Sequence, residues 1–186
     1  VKNRAGIFLD RDGVINKPPP PGQRYILRPE EFQLMPGIAE AIRLFNERNL
    51  PVIVVTNQKC VAIGRLGKEG LERIHERMRH LLQEEKAHID EIRYCPHQDS
   101  DGCFCRKPLP GMILDGATAL GVDPKASWLV GDQPRDIIAG HAAGCRTVRI
   151  GGDAPSHVHG VSDALPDVRL PHTRDLPPWI KEVFPF

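Results

Sequence analysis

The sequence predicts an α/β fold built on a doubly wound, mostly parallel sheet, and three observations support this. Short apolar runs alternate with amphipathic stretches along the chain. Several of those runs are continuously apolar, as strands covered on both faces are. The acidic, hydroxyl and basic residues of interest follow directly after the runs, where open α/β sheets bind their ligands.

Residues 5–10 carry Ile7, Phe8 and Leu9 and run into Asp10-Arg11-Asp12-Gly13, which reads as a buried strand followed by a turn. Residues 18–22 are proline-rich and predict a stiff, extended loop, because each proline fixes its own φ. Over 37–49, Ile38, Ala41, Ile42 and Phe45 share one helical stripe. Residues 51–56 contain Val52, Ile53, Val54 and Val55, a β-branched strand. Over 68–86, Leu71, Ile74, Met78, Leu81 and Leu82 recur at helical spacing, and His75, His80 and His88 are assigned to solvent. A brief strand over 92–94 precedes an irregular loop over 96–110 and a helix over 111–120 with Ile113, Ala117 and Leu120 inward. A strand over 127–130 leads into Gly131-Asp132, and the helix over 134–143 tolerates proline in its first turn. Gly144 stops that helix before a strand over 147–150. A short strand at 168–170 and a short helix at 178–184 complete the chain. The domain is drawn over 1–150, with 151–186 as a tail packed on it. Neither the stretch from Asp12 to Thr56 nor that from Thr56 to Lys107 is long enough to build a separate cap domain.

The charges balance, 25 Lys and Arg against 24 Asp and Glu, and aromatics make up 5%. No nucleic-acid partner is expected from that composition. No apolar run approaches the roughly 20 residues of a membrane helix, and no export signal is seen, so no membrane partner is expected either. The five cysteines are odd in number and form no disulfide framework, which predicts a reducing, cytoplasmic setting. The oligomeric state is not fixed by the sequence, and a monomer is compatible with it.

Three acids, a hydroxyl and a lysine come from separate segments on one edge of the sheet: Asp10 and Asp12, Thr56 with Asn57 and Gln58 beside it, Asp132, and Lys107 with Arg106 in the loop before the 111–120 helix; a further acid, Asp136, lies one turn after Asp132. Each alone is ordinary turn or capping chemistry. Together they suit phosphoryl transfer. Asp10 and Asp12, two apart in an extended chain, would point the same way. Like charges about 4 Å apart cost about 4 kcal/mol at an effective dielectric near 20, so a divalent cation or a shared proton is expected between them. Asp132 completes an oxygen-ligand site for Mg²⁺, with Lys107 and Thr56 placed to meet phosphate oxygens.

The segments 8–16 (FLDRDGVIN), 55–58 (VTNQ), 105–108 (CRKP) and 130–132 (VGD), in this order, resemble the four motifs of the haloacid dehalogenase superfamily. The nearest resemblance is to its small capless phosphatases of heptose bisphosphate and of histidinol phosphate, over about residues 5–150. The resemblance implies Asp10 as a nucleophile forming an aspartyl-phosphate and Asp12 as the acid and base. It implies Mg²⁺ held by Asp10, the Asp12 main-chain carbonyl and Asp132, with Asp136 supporting the metal or Lys107. Thr56, Asn57 and Lys107 would cradle the phosphoryl group, and Arg11, Gln58, Lys59, Arg106 and Gln133 would face substrate. Those relatives usually carry Lys or Arg after the last aspartate and a Ser-Gly pair after the second motif. This chain has Gln133 and Lys59-Cys60.

Cys95, His97, Cys103 and Cys105 lie within eleven positions, a Cys₃His set suited to a closed structural zinc site. Cys105 directly precedes Arg106 and Lys107, so a zinc staple there would fix the segment that delivers a cation to phosphate. The related heptose phosphatases carry a similar loop. Cys145 reads as a small buried hydrophobe, and His157, His159 and His172 are given no role.

The expected substrate is a small phosphorylated metabolite, a sugar bisphosphate first and histidinol phosphate second. A phospho-accepting receiver domain or a zinc-stabilised interaction domain accounts for part of the set. Turnover of a phosphate ester separates these from a phosphatase.

Overall fold

The computed structural model describes residues 4–19, 21–151 and 165–185. Pro20, His157 and His159 lie outside the described residues. Among the described residues, the strands β1 (Ile7–Leu9), β2 (Val52–Asn57), β3 (Glu91–Cys95), β4 (Trp128–Gly131), β5 (Arg146–Ile150) and β6 (Val168–Leu170) form one sheet in the order β3-β2-β1-β4-β5-β6. Every pairing is parallel. The helices are α1 (Ile38–Glu47), α2 (Lys68–Glu84), α3 (Gly111–Leu120), α4 (Pro134–Ala143) and α5 (Leu176–Val183). The expected strands over 92–94 and 147–150 each lengthen to five residues, because Glu91, Cys95 and Arg146 complete ladders with their neighbours. The last helix begins two residues early, with Leu176 and Pro177 in its first turn.

The period of two along each strand feeds two cores. Ile7 and Leu9, with Val52, Val54 and Val130, meet Ile38, Ile42 and Phe45 of α1, Ile74 and Met78 of α2, and Leu176 and Ile180 of α5. Phe8, Ile53, Val55 and Leu129 meet Met112, Ile113 and Ala117 of α3 and Ala139 of α4 on the other face. Trp128, Trp179 and Phe184 close one end of the first core through edge-on ring contacts.

The strand order reverses direction between β1 and β4, and Asp10 and Asp132 follow those two strands. The Asp10 N–H donates to the Val130 carbonyl at 3.0 Å, so the two strand ends are locked together at the point where such sheets bind ligands.

Candidate active site

A cavity of about 250 Å³ opens at this edge, lined by Asp10, Asp12, Gly13, Pro18, Pro19, Thr56, Asn57, Lys107, Asp132, Gln133 and Arg135. Lys107 lies beneath it, almost fully buried. Its ammonium sits 2.8 Å from Asp10 Oδ1 and 2.7 Å from Asp136 Oδ1, and donates to the Val55 carbonyl at 2.8 Å. All three of its protons are therefore engaged. Burial pulls the lysine down, but Asp10 and Asp136 outweigh it and hold it above its ordinary range. The loop bearing Lys107 is tied to β2 by Asn57, which donates to the Lys107 carbonyl at 3.0 Å and accepts from its N–H at 3.1 Å.

Carboxylate oxygens of Asp10, Asp132 and Asp136 lie within 4.8 Å of one another. Burial, then Asp136, lift Asp10 to about 7, although Lys107 opposes them. Burial and Asp136 also raise Asp132. Asp132 Oδ1 is buried without a hydrogen-bond partner. Gly13 has φ +89°, and a Cβ there would stand 2.4 Å from Asp132 Oδ2, so only glycine fits this cradle. Asp136 also accepts from the Gln133 N–H at 2.9 Å and so begins α4 while bracing Lys107.

The side chains of Asp10 and Asp12 take different cationic side chains, where an extended chain would have aimed both at one point. Residues 11–15 turn tightly, with the Ile15 and Asn16 N–H groups both donating to the Arg11 carbonyl, and the two carboxylates separate. Asp10 takes Lys107, while Asp12 takes Arg11 at 3.0 Å. Asp12 further accepts from Asn16 and Gln58, each at 3.0 Å. Burial pushes Asp12 up, but Arg11 and these donors win and hold it below its usual range.

Several predicted substrate contacts point elsewhere. Arg11 is fully buried, its guanidinium forked onto Asp12, because the turn folds it inward. Gln58 is buried and bonds Asp12 and the Thr56 hydroxyl. Lys59 and Arg106 both pair with Asp99, at 2.8 and 2.7 Å, away from the cavity lining. Gln133 lines the cavity but donates to Asp132 Oδ2 at 2.8 Å. His75, assigned to solvent, is 1% exposed on the inner face of α2, whereas His80 and His88 are solvent-facing. Arg135, which the sequence did not single out, is exposed at the cavity mouth and has no hydrogen bond or ion pair among the described residues.

Beside this cavity, Cys95 Sγ stands 3.6 Å from both His97 Nδ1 and Cys103 Sγ, and Cys105 Sγ stands 3.3 Å from His97 Nδ1. The four ligand atoms lie within 4.8 Å of one another. Burial and the neighbouring sulfurs push the Cys105 thiol up to about 12, so three thiolates cannot coexist there without a compensating cation. No helix of the described residues is long and apolar enough to cross a membrane.

The haloacid dehalogenase-like hydrolase family model matches residues 9–144. The D-glycero-beta-D-manno-heptose-1,7-bisphosphate 7-phosphatase of Rhodopseudomonas palustris is 39% identical over 157 residues, covering 81% of this chain and 85% of that one. The Escherichia coli K12 enzyme of the same name is 33% identical over 192 residues, covering 98% and 96%. Among solved structures, the D,D-heptose 1,7-bisphosphate phosphatase of B. bronchiseptica complexed with magnesium and phosphate superposes with a TM-score of 0.83 at 31% identity, covering 96% of this chain and 99% of that one. With the six-stranded parallel sheet, and with no separate cap domain among the described residues, these matches lead to one conclusion: the chain belongs to the haloacid dehalogenase-like hydrolases, as a phosphatase.

Proposed function

We propose that the protein is a cytoplasmic, magnesium-dependent phosphatase that removes one phosphate from a sugar bisphosphate, D-glycero-D-manno-heptose 1,7-bisphosphate first. The observation that carries this reading is the charge arrangement around one cavity. Three convergent acids face a single lysine, and Arg135 stands uncommitted at the rim.

Asp10, Asp132 and Asp136 with Lys107 leave an excess of negative charge that a divalent cation balances, and the orphaned Asp132 Oδ1 is a ready ligand. Magnesium held by Asp10, Asp132 and the Asp12 main-chain carbonyl would supply positive charge to the phosphoryl oxygens. Lys107 fixes Asp10 for attack on phosphorus, and Thr56 and Asn57 line the phosphoryl side of the cavity. The attack breaks the ester P–O bond and leaves the phosphoryl group on Asp10. Asp12, ionised in the free protein, takes up a proton as the anionic phosphate ester enters beside it, and gives that proton to the departing alkoxide. It then takes one from the water that hydrolyses the aspartyl-phosphate, which returns it to its protonated form.

Arg135 favours a second anion on the substrate. Histidinol phosphate would bring an ammonium group to the same rim. The Cys₃His cluster is read as a zinc staple, because a tetrahedral ion with bonds of about 2.0–2.3 Å sets its ligands about 3.3–3.8 Å apart, and the separations of 3.3 and 3.6 Å fall in that range.

Phosphate release from heptose 1,7-bisphosphate with and without magnesium tests the reading. Wild-type protein turns over only with the metal, and Asp10→Asn is inactive yet folded. Full turnover by Asp10→Asn would refute the assignment.

A further inference from the structure

We infer that His75 is a positioning residue for Asp12: from the inner face of α2 it holds the third nitrogen of Arg11 and so fixes the fork that orients the acid. This rests on the reading of Asp12 as the group that protonates the leaving alkoxide.

Arg11 is the largest fully buried side chain among the described residues. Its Nε and Nη2 go to Asp12, at 3.3 and 3.0 Å. That leaves Nη1, which meets His75 Nε2 at 3.4 Å. No other acid among the described residues pairs with this guanidinium, so Arg11 is not divided between two carboxyl groups. A neutral imidazole suits the remaining place better than a carboxylate would, because a second anion would compete for Arg11 and loosen its hold on Asp12. The imidazole is itself fixed. Its Nδ1 faces Glu72 Oε2 at 3.6 Å, and its ring lies 5.9 Å from the Tyr94 ring. With the proton on the Glu72 side, the Nε2 lone pair faces Arg11. Burial and Arg11 hold the ring to about 4, which keeps that lone pair free in neutral solution. α2 is thereby connected to the reacting edge of the sheet through two side chains.

Leaving-group dependence separates positioning from simple support of the fold. An alkyl phosphate needs the proton of Asp12, whereas p-nitrophenolate departs without it. His75→Leu and His75→Asn, whose amide is too short to reach Arg11, are expected to lower kcat/KM about tenfold on a sugar phosphate and less than about twofold on p-nitrophenyl phosphate. His75→Gln, which keeps an acceptor near the Nε2 position, restores the sugar phosphate value to within about threefold. Equal losses on both substrates in His75→Leu and His75→Asn, or no loss on either, would overturn the inference. Asp12→Asn is run alongside. If it too shows no leaving-group selectivity, the acid role of Asp12 fails and the inference falls with it. If it is selective and the His75 variants are not, only the inference fails.

Discussion

Lys107→Met removes the buried cation that is ion-paired with Asp10 and Asp136 while nearly preserving side-chain volume. The lysine is buried, its two carboxylate contacts are 2.8 and 2.7 Å, and a main-chain carbonyl takes its third proton. Breaking a buried ion pair from one side costs about 3–5 kcal/mol, because the remaining charge is left in a poor solvent. In a chain of this size each kcal/mol moves Tm by about 2–4 °C, so the variant melts about 6–20 °C lower. The loss has a pH signature. Asp10 already titrates at about 7 with Lys107 beside it, and without the lysine it rises further. An acid whose folded value lies above its unfolded value contributes stability at low pH that is lost as pH rises through the folded value. The deficit is therefore larger at pH 8 than at pH 6. Thermal melts of wild type and variant at both pH values, without divalent cations, read this directly. A shift under about 2 °C, or a deficit larger at pH 6, would refute the view that Lys107 holds the acidic cluster together.

His75 is held at about 4, against about 6.5 in the unfolded chain, so the unfolded state binds more protons between these values. Stability then falls as pH drops through that window, by up to about 3 kcal/mol, and His75→Gln removes this step; identical pH profiles for the two proteins would contradict it. Metal analysis should find about one zinc per chain, and stripping it should lower both Tm and activity by loosening the segment that carries Lys107. A metal-free protein with full activity and an unchanged Tm would end the zinc assignment. Arg135→Gln should lower kcat/KM on the bisphosphate about tenfold, or about 1.4 kcal/mol, while p-nitrophenyl phosphate turnover stays within about twofold. Equal effects on both would remove Arg135 from substrate recognition.

The centre of the sheet was legible because β1, β2 and β4 are built on apolar runs, such as 52–55, each leading into a residue with chemistry. Thr56, Asn57, Lys107 and Asp132 reach the cavity for the same reason, since each lies at or beside a carboxyl end of the sheet. What escaped the sequence depended on turns and on faces. The tight turn at 11–15 sends Arg11 inward and parts Asp10 from Asp12, and nothing in two acids two residues apart announces that. His75 did carry a signal. It lies four residues after Leu71 and three before Met78, on the apolar stripe, but its polar chemistry and charged neighbours suggested solvent. Arg135 sits at an exposed position in the first turn of α4, and only the cavity shows what it faces. Lys59 and Arg106 look like free cations in sequence, yet Asp99, from the intervening loop, takes both.

The most direct test compares heptose 1,7-bisphosphate with the matching 7-phosphate, which keeps the ester for which the related 7-phosphatases are named and lacks the remote anion. Binding energy from that remote phosphate is available to the reaction, so kcat/KM with magnesium should be higher on the bisphosphate by at least about tenfold. Equal efficiency on the two compounds would contradict the account.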